Sequence, residues 1–193
     1  MNSFLRGRVA FFVTSNLHKF NEARRVLAEF KIATAMLNVD AVEIQDDNLE
    51  NIAKTSALDA AAKSNLSIFV EDAGLFVEAL KGFPGPYSSF VYRTIGTKGL
   101  LKLMENERRR DAYFHSVVAF HSPEGKSPKC FHGKVRGEIT IKEKGRHGFG
   151  FDPIFNPLDT NARTFAQMET AEKNRYSHRA QALRKFARWY TSL

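Results

Sequence analysis

Ser67-Ile68-Phe69-Val70-Glu71-Asp72-Ala73-Gly74 is the stretch on which the fold turns. Its first half is apolar and β-branched, the composition of a buried strand. It then meets two adjacent carboxylates and a glycine. Strand tips are where α/β folds hold their chemistry, because the scaffold fixes the side chains while the loop leaves them accessible. Neighbouring strand residues point to opposite faces, so Glu71 and Asp72 converge on one ion only if the strand breaks there. Gly74 is the expected break. Two carboxylates at such a tip suit a hard divalent cation; taken in isolation, the same pair also suits a solvated acidic turn.

Working outward, Val9-Ala10-Phe11-Phe12-Val13 is a continuous apolar run, as in a buried parallel strand. Thr14-Ser15-Asn16 follows, a cluster of helix-capping residues. Leu17, Phe20, Ala23, Leu27 and Phe30 then recur at helical spacing. The polar turn offers backbone N–H groups to an anion. Lys19 falls in the first helical turn, where the macrodipole disfavours a cation by ~0.3–1 kcal/mol unless a phosphate binds there. Residues 33–39 read as a second strand, 40–47 as an acidic loop containing Glu43, and 48–65 as a helix with Lys54 at the edge of its apolar stripe.

Further along, Lys81 to Tyr87 is a Gly/Pro turn. Two short helices are expected over 88–95 and 98–106, then two long strands over 112–120 and 130–141 joined by the turn Ser122-Pro123-Glu124-Gly125. Gly148-Phe149-Gly150-Phe151-Asp152-Pro153 places two glycines between aromatics. That pattern fits a tight loop offering Phe149 or Phe151 to a flat ring, or a bulge between core aromatics. Ser177 caps a last helix whose first turn carries His178 and Arg179, again cations at the positive end of a dipole.

The chain has 193 residues, 43% hydrophobic and 26% charged, enough for one domain or two intimate lobes. Its one cysteine, Cys130, excludes an internal disulfide framework and suits a reducing compartment. No apolar run reaches the ~18 residues of a membrane span, and residues 1–8 carry no signal-peptide pattern and lead into the first strand. A cytoplasmic protein is expected. The net charge of +8 is unevenly spread: residues 1–96 hold ten basic against eleven acidic side chains, residues 97–193 nineteen against ten. An acidic half facing a basic one suits a cleft for a metal–polyanion complex.

Together these segments resemble the inosine triphosphate pyrophosphatase family over essentially the whole chain. The resemblance rests on Thr14-Ser15-Asn16-Leu17-His18-Lys19, Val70-Glu71-Asp72-Ala73-Gly74-Leu75 and Phe83-Pro84-Gly85-Pro86-Tyr87-Ser88. It continues in Gly148 to Phe155, Thr164-Phe165-Ala166-Gln167-Met168 and Glu172 to Arg179. It implies an α/β fold across 1–193 as a single domain, with an elongated mixed sheet, flanking helices and two lobes around a central cleft. It also implies a homodimer and Mg²⁺-dependent hydrolysis of deaminated purine triphosphates (ITP, dITP, XTP) to the monophosphate and pyrophosphate. On this resemblance Thr14, Asn16, Lys19 and Lys54 hold the phosphates. Glu43, Glu71 and Asp72 hold the metal and the attacking water, with Asp72 as general base. Phe149 stacks on the base, Phe151 and Asp152 shape its pocket, and Lys173, His178 and Arg179 contact it. The chain departs from the family pattern at Ala73, where threonine is common, and at Phe90 and Val91, where a basic–aromatic pair is common.

Two other readings compete. A Maf-type nucleotide pyrophosphatase acting on pyrimidine or modified nucleotides would share the chemistry but would not need Phe149 or the Ser177-His178-Arg179 cap. A nucleic-acid-binding module would account for the basic second half but would leave Glu43, Glu71 and Asp72 facing phosphates without a use. No membrane and no stable nucleic-acid partner are therefore expected.

Overall fold

β1 (Arg8–Val13) is parallel to both β2 (Ile32–Leu37) and β3 (Ile68–Val77). The structure is a computed structural model that describes residues 8–158 and 160–193, so the expectation for residues 1–7 lies outside it. Two helices make the parallel crossovers. α1 (Leu17–Ala28) starts at Asn16, whose side chain accepts from the His18 and Lys19 amides. α2 (Leu49–Ser64) starts at Asn48 and ends at Asn65 in the left-handed conformation, φ 53°.

The rest of the sheet is antiparallel. β3 pairs with β5 (Asp111–His121), β5 with β6 (Lys129–Ile139), and β6 with the short β7 (Phe155–Pro157). β4 (Pro84–Gly85) adds to the far half of β3, giving, among the described residues, seven strands in a mixed sheet. The β5–β6 hairpin turns where the sequence predicts, with the Gly125 amide donating to the Ser122 carbonyl at 2.8 Å. α3 (Ser88–Thr94) and α4 (Gly96–Leu103) follow β4; α5 (Thr170–Tyr176) and α6 (His178–Thr191) close the chain.

Strand alternation assigns the layers. Phe12, Phe69 and Val118 face α1 and α6 and pack with Leu27, Leu183 and Phe186. Val13, Ile68, Val70 and Val117 face the other way, onto the small Ala53, Ala57, Ala60 and Ala61 of α2, which let that helix lie close to the sheet. The far halves of β3, β5 and β6 carry a separate core with Leu75, Leu100, Phe114, Phe155 and Phe165. One sheet therefore runs through two lobes. Among the described residues, no helix is long and apolar enough to cross a membrane.

β3 does not break at Gly74; it runs on to Val77 and pairs with β5 along its whole length. The glycine serves close approach instead. A Cβ there would stand 2.3 Å from the Gly85 carbonyl oxygen. Gly133 has the same role on β6, where a Cβ would meet the His178 carbonyl oxygen at 1.9 Å. The first turn of α6 is thereby seated directly on the sheet.

Candidate active site

The cleft arises from a change of partner along one edge of β3. β1 pairs only with Ile68 and Phe69, and β4 only with Leu75 and Phe76. Between them, among the described residues, the edge from Val70 to Gly74 has no neighbouring strand, and a cavity of about 1250 Å³ opens there between the lobes. On a continuous strand Glu71 falls on the α1/α6 face and Asp72 on the α2 face, so the two carboxylates diverge. Both nevertheless line this one cavity, because the missing strand lets it wrap around the edge. The convergence expected from a strand break is replaced by a gap in the sheet.

Glu71 is buried and surrounded by donors. Its Oε1 accepts from Ser116 Oγ at 2.6 Å and faces Arg179 Nε at 3.1 Å, while Lys19 Nζ lies 3.1 Å from Oε2. Burial raises its pKa, but Arg179, Lys19 and Ser116 outweigh that and hold it far below the ordinary carboxylate range. Lys19 also donates to the Glu71 carbonyl at 3.0 Å, on the free strand edge. Glu71 is thus already engaged by cations and does not fit the metal-ligand role that the sequence suggested. It fixes Lys19 and Arg179.

Asp72 differs. Its Oδ1 accepts the Ala73 amide at 2.9 Å. Burial, with the nearby Glu71 and Glu43 charges against Lys19, pushes its pKa up to about 6. Glu43 projects from the loop before α2 and is exposed. No three acidic, histidine or cysteine side chains among the described residues gather into a ready-made metal cage. Mg²⁺, however, is commonly held by one or two carboxylates together with substrate phosphates and water. Asp72 and Glu43, repelling each other across the cavity, fit that donor set.

At the start of α1, Thr14 Oγ1 accepts the Asn16 amide at 3.1 Å, which shapes the turn beside Lys19. Lys54 is not brought to the cleft: it projects outward from α2, where its amine pairs with Glu50. The snorkelling expected at the stripe edge goes to a neighbour on the same helix, four residues earlier.

Opposite these groups sits a buried ion network. Lys173 Nζ donates to Glu22 Oε1 at 2.7 Å and to Asp152 Oδ2 at 2.5 Å, and Arg179 Nη1 donates to Glu22 Oε2 at 2.6 Å. Burial disfavours both cations, yet the carboxylates more than offset it and raise both pKa values. Asp152 Oδ2 also accepts the Phe149 amide at 2.9 Å, which sets the loop. His178 stacks on Phe114 at 4.5 Å and 9°; burial, then the neighbouring Arg179, keeps its imidazole neutral, and its Nδ1 has no partner among the described residues. Three cations (Lys19, Lys173, Arg179) meet three carboxylates (Glu22, Glu71, Asp152), so the wall offers aimed N–H donors rather than a large excess of positive charge.

Of the two aromatics in the glycine loop, Phe149 is half-buried at the cleft, with Lys173 Nζ 5.0 Å and Arg179 Cζ 5.3 Å from its ring centre. Phe151 is 3% exposed, belongs to the second core and meets Tyr92 edge-on. Of the two, Phe149 is therefore the ring with an accessible face, and Phe151 packs into the core. Sequence reading missed Glu22, Ser116 and Phe114. Glu22 carried a signal: it lies three residues after Lys19 and four before Val26, a carboxylate on the buried face of α1.

Fold and site together define an α/β protein whose cleft sets a half-buried aromatic ring and three buried or half-buried cations against a carboxylate of raised pKa. A model of the Ham1 family matches residues 10–189, and the chain belongs to that family. It is 49% identical to the dITP/XTP pyrophosphatase of Thermococcus kodakarensis over 178 residues, 92% of this chain and 95% of the relative. The protein of that name from Methanopyrus kandleri is 46% identical over 179 residues, 93% and 94% of the two chains. Among solved structures, a HAM1 protein from Coxiella burnetii superposes with a TM-score of 0.84 at 29% identity, covering 96% of this chain and 100% of the other. The Staphylococcus aureus Ham1 protein gives 0.81 at 27% identity, covering 96% and 99%.

Proposed function

We propose that this protein is a Mg²⁺-dependent nucleoside-triphosphate pyrophosphatase that hydrolyses deaminated purine nucleotides (ITP, dITP, XTP) to the monophosphate and pyrophosphate, cleansing the nucleotide pool. One observation carries the reading: a single cavity joins Asp72 and Glu43 to Lys19 on one side and to Phe149, Lys173, His178 and Arg179 on the other. Full-length relatives named dITP/XTP pyrophosphatase support the substrate class.

The purine stacks on Phe149, and the triphosphate lies along the Thr14-Ser15-Asn16 turn and Lys19. A water oxygen bonds to phosphorus, the bond between the α and β phosphates breaks, and pyrophosphate leaves. Asp72, ionised above pH ~6, accepts the water proton. Glu71 positions Lys19 and Arg179. Mg²⁺, which Asp72 and Glu43 would hold, supplies charge neutralisation to the phosphates. Arg179 and Lys173 direct spare N–H donors at the purine O6. Adenine presents its own amino group there, so donor would face donor in a buried site. A homodimer and a cytoplasmic setting belong to the same reading; the half-buried lone thiol of Cys130 suits a reducing compartment.

The experiment is product analysis with ITP, XTP, ATP, GTP and dUTP, with and without Mg²⁺. Pyrophosphate and monophosphate should appear with Mg²⁺, with ITP and XTP preferred over ATP by at least tenfold. Orthophosphate as the product would overturn the assignment, and pyrophosphate release with a preference for dUTP would favour the Maf-type reading instead.

A further inference from the structure

His18 stands outside every role given so far. It lies in the first turn of α1, two residues after the Asn16 cap and next to Lys19, and its side chain is exposed to the cleft. Among the described residues its imidazole makes no hydrogen bond and no ion pair. What it does make is a stack: the ring lies on Phe149 with centroids 5.1 Å apart and planes 17° from parallel. The ring assigned to the base is thus already covered, on one face, by a flat group from the phosphate-binding turn.

We propose that His18 is the second wall of the base site, and that the purine inserts between its imidazole and Phe149. The inference rests on the nucleotide reading above. A base held at ordinary contact from each ring needs them roughly 7 Å apart, two layers of ~3.5 Å. With centroids now 5.1 Å apart, the two rings must therefore separate by at least about 2 Å. That movement falls to His18. Its backbone amide is pinned by the Asn16 side chain at 2.9 Å, whereas its exposed side chain has only the stack to give up. The Phe149 loop is instead held by the buried Asp152. With no base bound, His18 shields the Phe149 ring from water; with a base bound, it closes over the other purine face. Because any base offers a π-face, this wall adds affinity without choosing among purines. Choice stays with Arg179 and Lys173.

Calorimetric titration separates the two ends of the ligand, using IMP as the base without the tail and inorganic tripolyphosphate as the tail without the base. His18→Ala is expected to weaken IMP about tenfold, the scale of one lost stacking face. Tripolyphosphate affinity should stay unchanged, and ITP and XTP should lose affinity in equal measure. His18→Phe, which keeps the ring, should bind IMP within about threefold of the wild type, since the flat face is what the base uses. Unchanged IMP binding by His18→Ala would overturn the proposal. So would tighter binding, which would make His18 a plug that competes with the base. Phe149→Ala distinguishes the two levels of failure: if it weakens IMP while His18→Ala does not, only the second wall falls. If neither variant matters, the base site itself is misplaced.

Discussion

Asp72→Asn should yield a protein that is more resistant to heat than the wild type and turns over ITP at least a hundredfold more slowly, the lower end of what a positioned proton acceptor contributes. Both effects follow from one displaced pKa. Asp72 titrates at about 6 in the folded protein against an ordinary value of 3.8, because burial and the Glu71 and Glu43 charges outweigh Lys19. Between these pH values the native state binds more protons than the unfolded chain, so this group's contribution to stability falls as pH rises through the window. At pH 7 the ionised carboxylate opposes folding by up to about 3 kcal/mol, and by roughly 1–2 kcal/mol once partial solvation is allowed for. Asparagine removes that charge and can still accept the Ala73 amide. Without Mg²⁺ at pH 7 its midpoint should therefore lie a few degrees higher, at ~2–4 °C per kcal/mol, and the gain should disappear near pH 4.

The same carboxylate gives the wild type an acid limb. With kcat/KM measured at low Mg²⁺, activity should fall about tenfold per unit below pH 6. Raising Mg²⁺ should move the limb to lower pH, since a cation favours the ionised form. Turnover by Asp72→Asn within a few-fold of the wild type would remove Asp72 from the chemistry.

Much of this arrangement could be read from composition and spacing. The apolar runs Val9–Val13 and Ser67–Val70 read as buried strands because parallel strands covered on both faces must be apolar throughout; Ala10, Phe12, Val13 and Ile68 to Val70 are buried, while Val9 is 44% exposed and Ser67 precedes the strand. Asn16, Asn48 and Ser177 announced helix starts because their side chains satisfy amides that the helix cannot. What resisted reading was long-range. That β3 continues past Asp72 depends on β5 lying beside it, and nothing local to Gly74 reveals the approach of Gly85. Glu71 and Asp72 looked like equivalent neighbours; only the facing of the strand separates the one held by Ser116, Lys19 and Arg179 from the one left to titrate. Lys54 sat at the right edge of α2 for the cleft, but Glu50 on the same helix takes it. The short α5 escaped notice because seven residues with three charges show no apolar periodicity.

The largest effect on stability is expected at Glu22, the group that no motif singled out. Its two carboxylate oxygens each hold a buried cation from another segment, Lys173 from α5 and Arg179 from α6, and so tie both to α1. Glu22→Ala leaves those cations with Asp152 and Glu71 alone, and breaking one partner of a buried ionic cluster costs ~3–5 kcal/mol. At ~2–4 °C per kcal/mol the midpoint should drop by about 6–20 °C at pH 7. Glu22→Gln, which keeps the shape and one acceptor, should lose less.

The sign of the pH dependence is fixed. Burial raises the Glu22 pKa, but Lys173 and Arg179 together pull it below the ordinary value of 4.5. Its contribution is therefore present above pH 4.5 and is lost as pH falls through the folded value. The gap between wild type and Glu22→Gln should shrink accordingly on acidification. In the glutamine variant Lys173 and Arg179 are less firmly aimed, so the ITP-over-ATP ratio should narrow while tripolyphosphate still binds. A midpoint within a degree of the wild type, together with an unchanged ratio, would mean that the cluster is held by Asp152 and Glu71 and that Glu22 merely accompanies it.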